Sequence, residues 1–198
     1  MSNCITGCIQ AEGLGTLLKN TISTYGSVSV LVHWLSALLA FGLFGLGLYM
    51  VELSYYDPLY HELPEWHKSL GAALAVLTLF RIFWRMATTT PELLTKQPSQ
   101  IFAARVAHAL LLLFLMLLPI TGYLIVTAEG KALLLFDLAL LPAWLELTPE
   151  QTDWVGRLHL WSAWGLIGLA LGHSVAALKH HFIDADRTLI RMVNIKGQ

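Results

Sequence analysis

Between Arg157 and Phe182 the chain reads RLHLWSAWGLIGLALGHSVAALKHHF, and from His159 to His173 it carries no acidic or basic side chain. A helix bonds all its backbone polar groups internally, so an uncharged run of this length constrains the segment to a membrane-crossing helix. The two histidines stand fourteen residues apart. On a helix that is about four turns, so the second imidazole returns to within roughly 40° of the first and lies about 21 Å along the axis. Ala163, Leu166 and Ala170 share that face, while Gly165, Gly168 and Gly172 fall on the far side. Small side chains beside two histidines leave room for something wide and flat. Two stacked haems, each taking one imidazole as an axial ligand, account for the pattern. The competing role is a hydrogen bond to a neighbouring helix. Partners at matching depths on other helices decide between them.

Of 198 residues, 56% are hydrophobic and 13% charged, with a mean hydropathy of +0.63. Soluble domains carry about 25% charged residues, so the composition is that of an integral membrane protein. Val28 to Val51, Ser69 to Ala87 and Val106 to Ala128, with Pro119 inside the last, supply three more spans beside the first stretch. The expected fold is an all-α four-helix transmembrane bundle occupying residues 28–182. ELSYYDPLYHELPEWHK and TTTPELLTKQPSQ read as exposed loops, and the partly apolar stretch Leu133 to Leu145 as a short helix along the membrane surface. Residues 1–27 lack the basic start and cleavage site of a secretory signal and read as a loosely ordered extension; residues 183–198 read as a tail. Cys4 and Cys8, the only cysteines, read as free thiols. Two cysteines are too few to ligate an iron–sulfur cluster within one chain.

Lys19, Arg81, Arg85, Lys96, Arg105, Lys179, Arg187, Arg191 and Lys196 fall on one side of the spans, and Lys68, Lys131 and Arg157 on the other. The positive-inside rule then predicts both termini in the cytoplasm. This topology assigns depths: His67 and His159 share the outer leaflet, His33 and His173 the inner. Two depth-matched pairs are what bis-imidazole ligation of two b-type haems requires. His108 shares the inner depth, so spacing alone leaves it open as a ligand. Gly47 and Gly122, each fourteen residues after a histidine, fall level with the outer pair and would let a porphyrin edge approach the backbone. Arg81 falls level with the inner pair, where a guanidinium pairs well with a propionate; Arg85, one turn on, offers the same. His61, His180 and His181 lie in loops or at the surface. The chain has no CxxCH for covalent haem, no nucleotide-binding glycine loop, no HExxH and no nucleophile elbow, and nothing in it points to nucleic acid as a partner.

Several stretches together resemble the bacterial cytochrome b561 family, which includes the superoxide oxidase of the inner membrane. They are YGSVSVLVHW, WHKSLG, RVAHALLLLFLMLLPITGYL, LHLWSAWGLIGLALGH and HHFIDADRTLIRM, and the likeness covers about residues 24–194. The resemblance implies four transmembrane helices in the bacterial inner membrane, two haem b groups, and electron transfer to or from a quinone. The family's ligands fall on His33, His67, His159 and His173. In a superoxide oxidase, superoxide is oxidised at the outer face with ubiquinone as acceptor, and Lys68 and Arg157 beside the outer ligands would attract the anion. Trp66 and Trp161 flank the same ligands as quinone-stacking or interfacial rings. The alternative implied function is a cytochrome b subunit that anchors a hydrogenase or other dehydrogenase and meets a redox partner protein. A small transporter with buried histidines would purify colourless.

Overall fold

The computed structural model describes residues 18–135 and 138–193. Cys4, Cys8 and most of the expected N-terminal extension lie outside them, as do residues 194–198. Among the described residues, four helices are long and apolar enough to cross a membrane: α1 (Ser27–Met50), α2 (Glu62–Ala87), α3 (Pro98–Thr127) and α4 (Pro149–Phe182). Between α3 and α4 stand two short strands, β1 (Leu133–Leu135) and β2 (Leu138–Leu141), and after α4 a single turn, α5 (Ile190–Val193).

Three of the long helices begin seven or eight residues earlier than the apolar runs that announce them. Hydropathy marks where the hydrocarbon would begin, whereas a helix continues until its first orphan N–H groups are capped. The start of α2 places Glu62 and Glu65 at the positive end of the helix dipole. Pro98 opens α3, where a missing N–H costs nothing. At α4, Thr148 and Gln151 form a reciprocal cap: the Gln151 N–H donates to Thr148 Oγ1 at 3.3 Å and the Thr148 N–H to Gln151 Oε1 at 2.9 Å, with Pro149 at the first helical position. The stretches read as loops therefore surrender residues 62–68 and 98–100 to helix.

The expected surface helix at Leu133–Leu145 is instead an antiparallel hairpin pairing Leu133 with Leu141 and Leu135 with Leu138, with a bulge after Leu133. Pro142, with no N–H to donate, would interrupt a helix there. Gly130 turns the chain into the strand with φ 76°, a conformation in which a side chain is strained. Beyond the hairpin, the Tyr123 hydroxyl donates to the Pro142 carbonyl at 2.6 Å and accepts from the Trp144 N–H at 3.1 Å.

The chain divides into two compact units. One gathers the described residues up to Leu35, Leu79–Arg105 and the described residues from Gly172; the other gathers Ser36–Thr78 and Val106–Leu171. In the second, Leu43, Leu74, Leu115 and Leu166, one from each long helix, form a buried core flanked by Leu39, Leu70, Leu111, Phe114 and Leu118. A Cβ at Gly165 would lie 2.8 Å from the Phe114 ring, so any larger residue there would push that ring aside. Large apolar side chains such as Leu38, Val76, Leu113 and Leu171 point outward, while Ser36, Ser69, Thr78, Thr121, Thr127 and Ser162 are buried. Small polar interiors with apolar exteriors are the packing of helices in lipid, where burial of large apolar groups gives no advantage over exposing them.

The first unit is tied by polar groups. Asn20 accepts at Oδ1 from the Gly26 N–H (2.9 Å) and the Ser29 hydroxyl (2.7 Å), and donates from Nδ2 to Thr88 (3.2 Å). Trp84 donates to Ser29 and the Glu92 N–H to the Ile22 carbonyl. The described part of the N-terminal extension is thus held by specific bonds. The tail is held likewise: Trp34 Nε1 donates to the Met192 carbonyl at 2.7 Å and Arg191 to the Glu92 carbonyl at 2.8 Å.

Candidate functional site

Two histidine pairs stand in the molecule, one in each unit. In the second unit His67 from α2 faces His159 from α4, with ring centroids 6.3 Å apart and planes at 66°. In the first, His33 from α1 faces His173 from α4 at 6.3 Å and 64°. Both match the depth pairing read from the sequence, and all four rings are half-buried.

The spacing permits a test of fit. A metal held between two imidazoles needs metal–nitrogen bonds of about 2 Å on either side. In a ring of about 1.33 Å bonds the nitrogen lies roughly 1.1 Å from the centroid, so the two centroids of such a pair stand roughly 6 Å apart. Both pairs meet this spacing. Neutral imidazole is also an axial ligand of haem iron, so the donors present fit a bis-histidine haem at each pair.

The surroundings of the two pairs differ. Around His67 and His159 the neighbouring helices present glycine: a Cβ on Gly47 would lie 3.1 Å from His67 Cε1, and one on Gly122 would lie 3.5 Å from His159 Cε1. Each of these glycines thus faces an imidazole of the pair. Thr121, next to Gly122 and almost fully buried, stands 2.9 Å through Oγ1 from His159 Nδ1. Sequence reasoning missed this residue; a hydroxyl one position before a marked glycine was the available signal. Beside His33 the ring of Trp34 packs edge-on at 5.4 Å. Arg81 lies within electrostatic reach of His173, with Arg85 and Tyr25 in turn near Arg81.

Lys68 and Arg157 flank the His67–His159 pair in sequence. Lys68 is ion-paired to Glu65, and the Arg157 guanidinium stacks 5.4 Å over the Trp154 ring. Trp66 and Trp161 are exposed, and His61 lies in a cluster of exposed tyrosines with Tyr55 and Tyr60. His108 is half-buried on α3. His180, expected to be solvated, is half-buried and bridges Asp184 (3.0 Å) and Asp186 (2.9 Å). A left-handed Ala185, φ 52°, turns the chain between those two carboxylates.

The family described as prokaryotic cytochrome b561 matches residues 24–194. Among curated proteins, cytochrome b561 homolog 2 of Escherichia coli K12 is 46% identical over 175 residues, covering 88% of this chain and 93% of that protein. A probable superoxide oxidase CybB of Yersinia pestis is 30% identical over 177 residues, covering 85% and 95%. Cytochrome b561 homolog 1 of Escherichia coli K12 is 25% identical over 179 residues, covering 87% and 98%.

Proposed function

The chain belongs to the prokaryotic cytochrome b561 family of haem b cytochromes, and from that premise we infer that it binds two haem b groups and exchanges electrons with a quinone. It is a multi-pass electron-transport protein of the bacterial inner membrane. The observation that carries the two-haem reading is the pair of 6.3 Å imidazole spacings, one in each unit. His67 and His159 hold one group; His33 and His173 hold the other, with Arg81 near His173 as the cation for a propionate. The basic residues gathered around the His33–His173 end, among them Arg81, Arg85, Arg105, Lys179 and Arg191, support a cytoplasmic position for it and for both termini.

Bound haem b supplies a one-electron couple. The protein's part would be to hold each haem through one pair of imidazoles, His67 with His159 or His33 with His173, and to set each potential through burial and hydrogen bonds to the ligands. The finer activity is superoxide:ubiquinone oxidoreduction, in which two superoxide anions, one ubiquinone and two protons yield two oxygen molecules and one ubiquinol. The likeness to a probable superoxide oxidase supports it. Arg157 and Lys68 would draw the anion to the outer pair. Because Lys68 is ion-paired to Glu65, Arg157 carries more of that attraction.

A second reading is favoured by the relative of 46% identity, whose name is that of a cytochrome alone: an electron-transfer or anchor subunit serving a dehydrogenase. A reduced-minus-oxidised spectrum of the purified protein, with haem quantitation, separates the two. Two b haems per chain that superoxide reduces and ubiquinone reoxidises support the oxidase. Two haems inert to superoxide transfer the function to the subunit reading, and a colourless protein overturns both.

A further inference from the structure

We propose that Thr121 is a positioning residue that fixes the tautomer and the electron-donating strength of His159. The inference rests on His159 being an axial ligand.

Thr121 Oγ1 lies 2.9 Å from the Leu117 carbonyl, 3.0 Å from the Leu118 carbonyl and 2.9 Å from His159 Nδ1. A hydroxyl has one hydrogen and two lone pairs. Two of its three neighbours are carbonyls, which only accept, so the hydrogen goes to the backbone one turn back, the usual bond of a threonine inside a helix. The oxygen then faces Nδ1 with a lone pair, and Nδ1 must carry the proton and donate it. With Nδ1 protonated, the lone pair of the neutral ring sits on Nε2, the nitrogen left for a metal.

The bond does more than orient. A donor hydrogen bond from the distal nitrogen raises the basicity of the ligating one, and such partners change metal affinity and potential. The His159 ring also lies beside Gly122, on the turn that carries Thr121, at a distance where a methyl group would make ordinary contact. His67, across the pair, has no such anchor. Its Nδ1 is buried without a hydrogen-bond partner among the described residues and faces Gly47. One ligand of this pair is therefore held by a hydrogen bond and the other by packing alone.

The test uses the purified haem-loaded protein and follows the potential and low-temperature EPR signal of each haem. Thr121→Val keeps the shape and removes the oxygen; Thr121→Ser keeps the oxygen and removes the methyl. In Thr121→Val the haem held by His159 should become easier to reduce, by up to about tenfold in its reduced-to-oxidised ratio, or about 59 mV for one electron. Its EPR signal should move, the other haem should not, and Thr121→Ser should match wild type. Loss of that haem in Thr121→Val with retention in Thr121→Ser supports the same role. The inference is overturned if Thr121→Val leaves both haems unchanged, or if Val and Ser shift them equally, which would make the effect one of packing. His159→Ala is the control. If it loses one haem while Thr121→Val is silent, this inference alone fails; if it keeps both, the ligand assignment fails and takes the inference with it.

Discussion

The His67–His159 pair and the His33–His173 pair share a centroid spacing and differ by only 2° in the angle between their rings, yet the chain builds them from opposite materials. Around the first, helices close in through glycine and a buried threonine, in a unit whose centre is four leucines. Around the second stand an indole, a guanidinium and a set of side-chain bonds to backbone carbonyls. The first solution is steric and depends on the missing side chain at Gly47. The second is polar and depends on groups that must be present. An imidazole pair can therefore be specified either by clearance or by bonding, and the two should respond differently to substitution.

The sharpest division between them comes from deleting ligands. His67→Ala or His159→Ala should lower haem content from two to one per chain and spare the other haem's spectrum; His33→Ala or His173→Ala should do the reverse. His108→Ala should keep two. Pyridine haemochrome quantitation with potentiometry reads all five, and loss of both haems from a folded single variant would break the independence of the pairs.

Clearance is tested by adding one methyl group. A Cβ at Gly47 comes to 3.1 Å from His67, so Gly47→Ala must displace the ring by a few tenths of an ångström; at Gly122 the distance is 3.5 Å, an ordinary contact. Gly47→Ala should shift the EPR signal and potential of the haem at that pair, whereas Gly122→Ala should be close to silent. The reverse order would show that the glycines serve something other than the imidazoles.

Bonding is tested at Trp34. Trp34→Phe keeps a ring beside His33 and removes the donor to Met192, a loss of about 1 kcal/mol. The tail from Asp184 onward should be cut faster by protease, with haem content unchanged and no change at the His67–His159 pair.

The smallest effect concerns acid. Burial alone would raise the Asp186 carboxyl, but hydrogen bonds from Thr188 and from His180 hold it below the ordinary range. A depressed carboxyl stabilises above its unfolded value, about 3.9, and that contribution is lost as pH falls through the folded value. The tie of the tail to α4 should persist at neutral pH and weaken below about pH 4, by no more than about 1 kcal/mol for a group only partly buried. Asp186→Asn should abolish the acid step in protease sensitivity.

How much of this was legible beforehand varies with the physics of each feature. Four spans were readable because an uncharged run of the right length admits little but a membrane helix. The histidine levels were readable because helical rise converts residue number into depth, which pairs His67 with His159 but leaves both His33 and His108 level with His173; the packing brings His33 to it. Helix starts were not, since Thr148, Pro149 and Gln151 cap α4 in a stretch that hydropathy treats as loop. Neither was the hairpin after Gly130, whose leucines serve a helix or a strand equally well. His180 looked solvated until Ala185 turned the chain back on it.

What the sequence alone determined is therefore what runs along a helix axis: the number of spans and which imidazoles share a level. What only the tertiary structure decided is everything across the axes: that Gly47 makes room for an imidazole ring, that Trp34 bonds the tail, and that Thr121 reaches His159. Spacing along one helix is set by its own geometry, whereas the rotation and approach of neighbouring helices depend on side-chain packing between residues far apart in the chain.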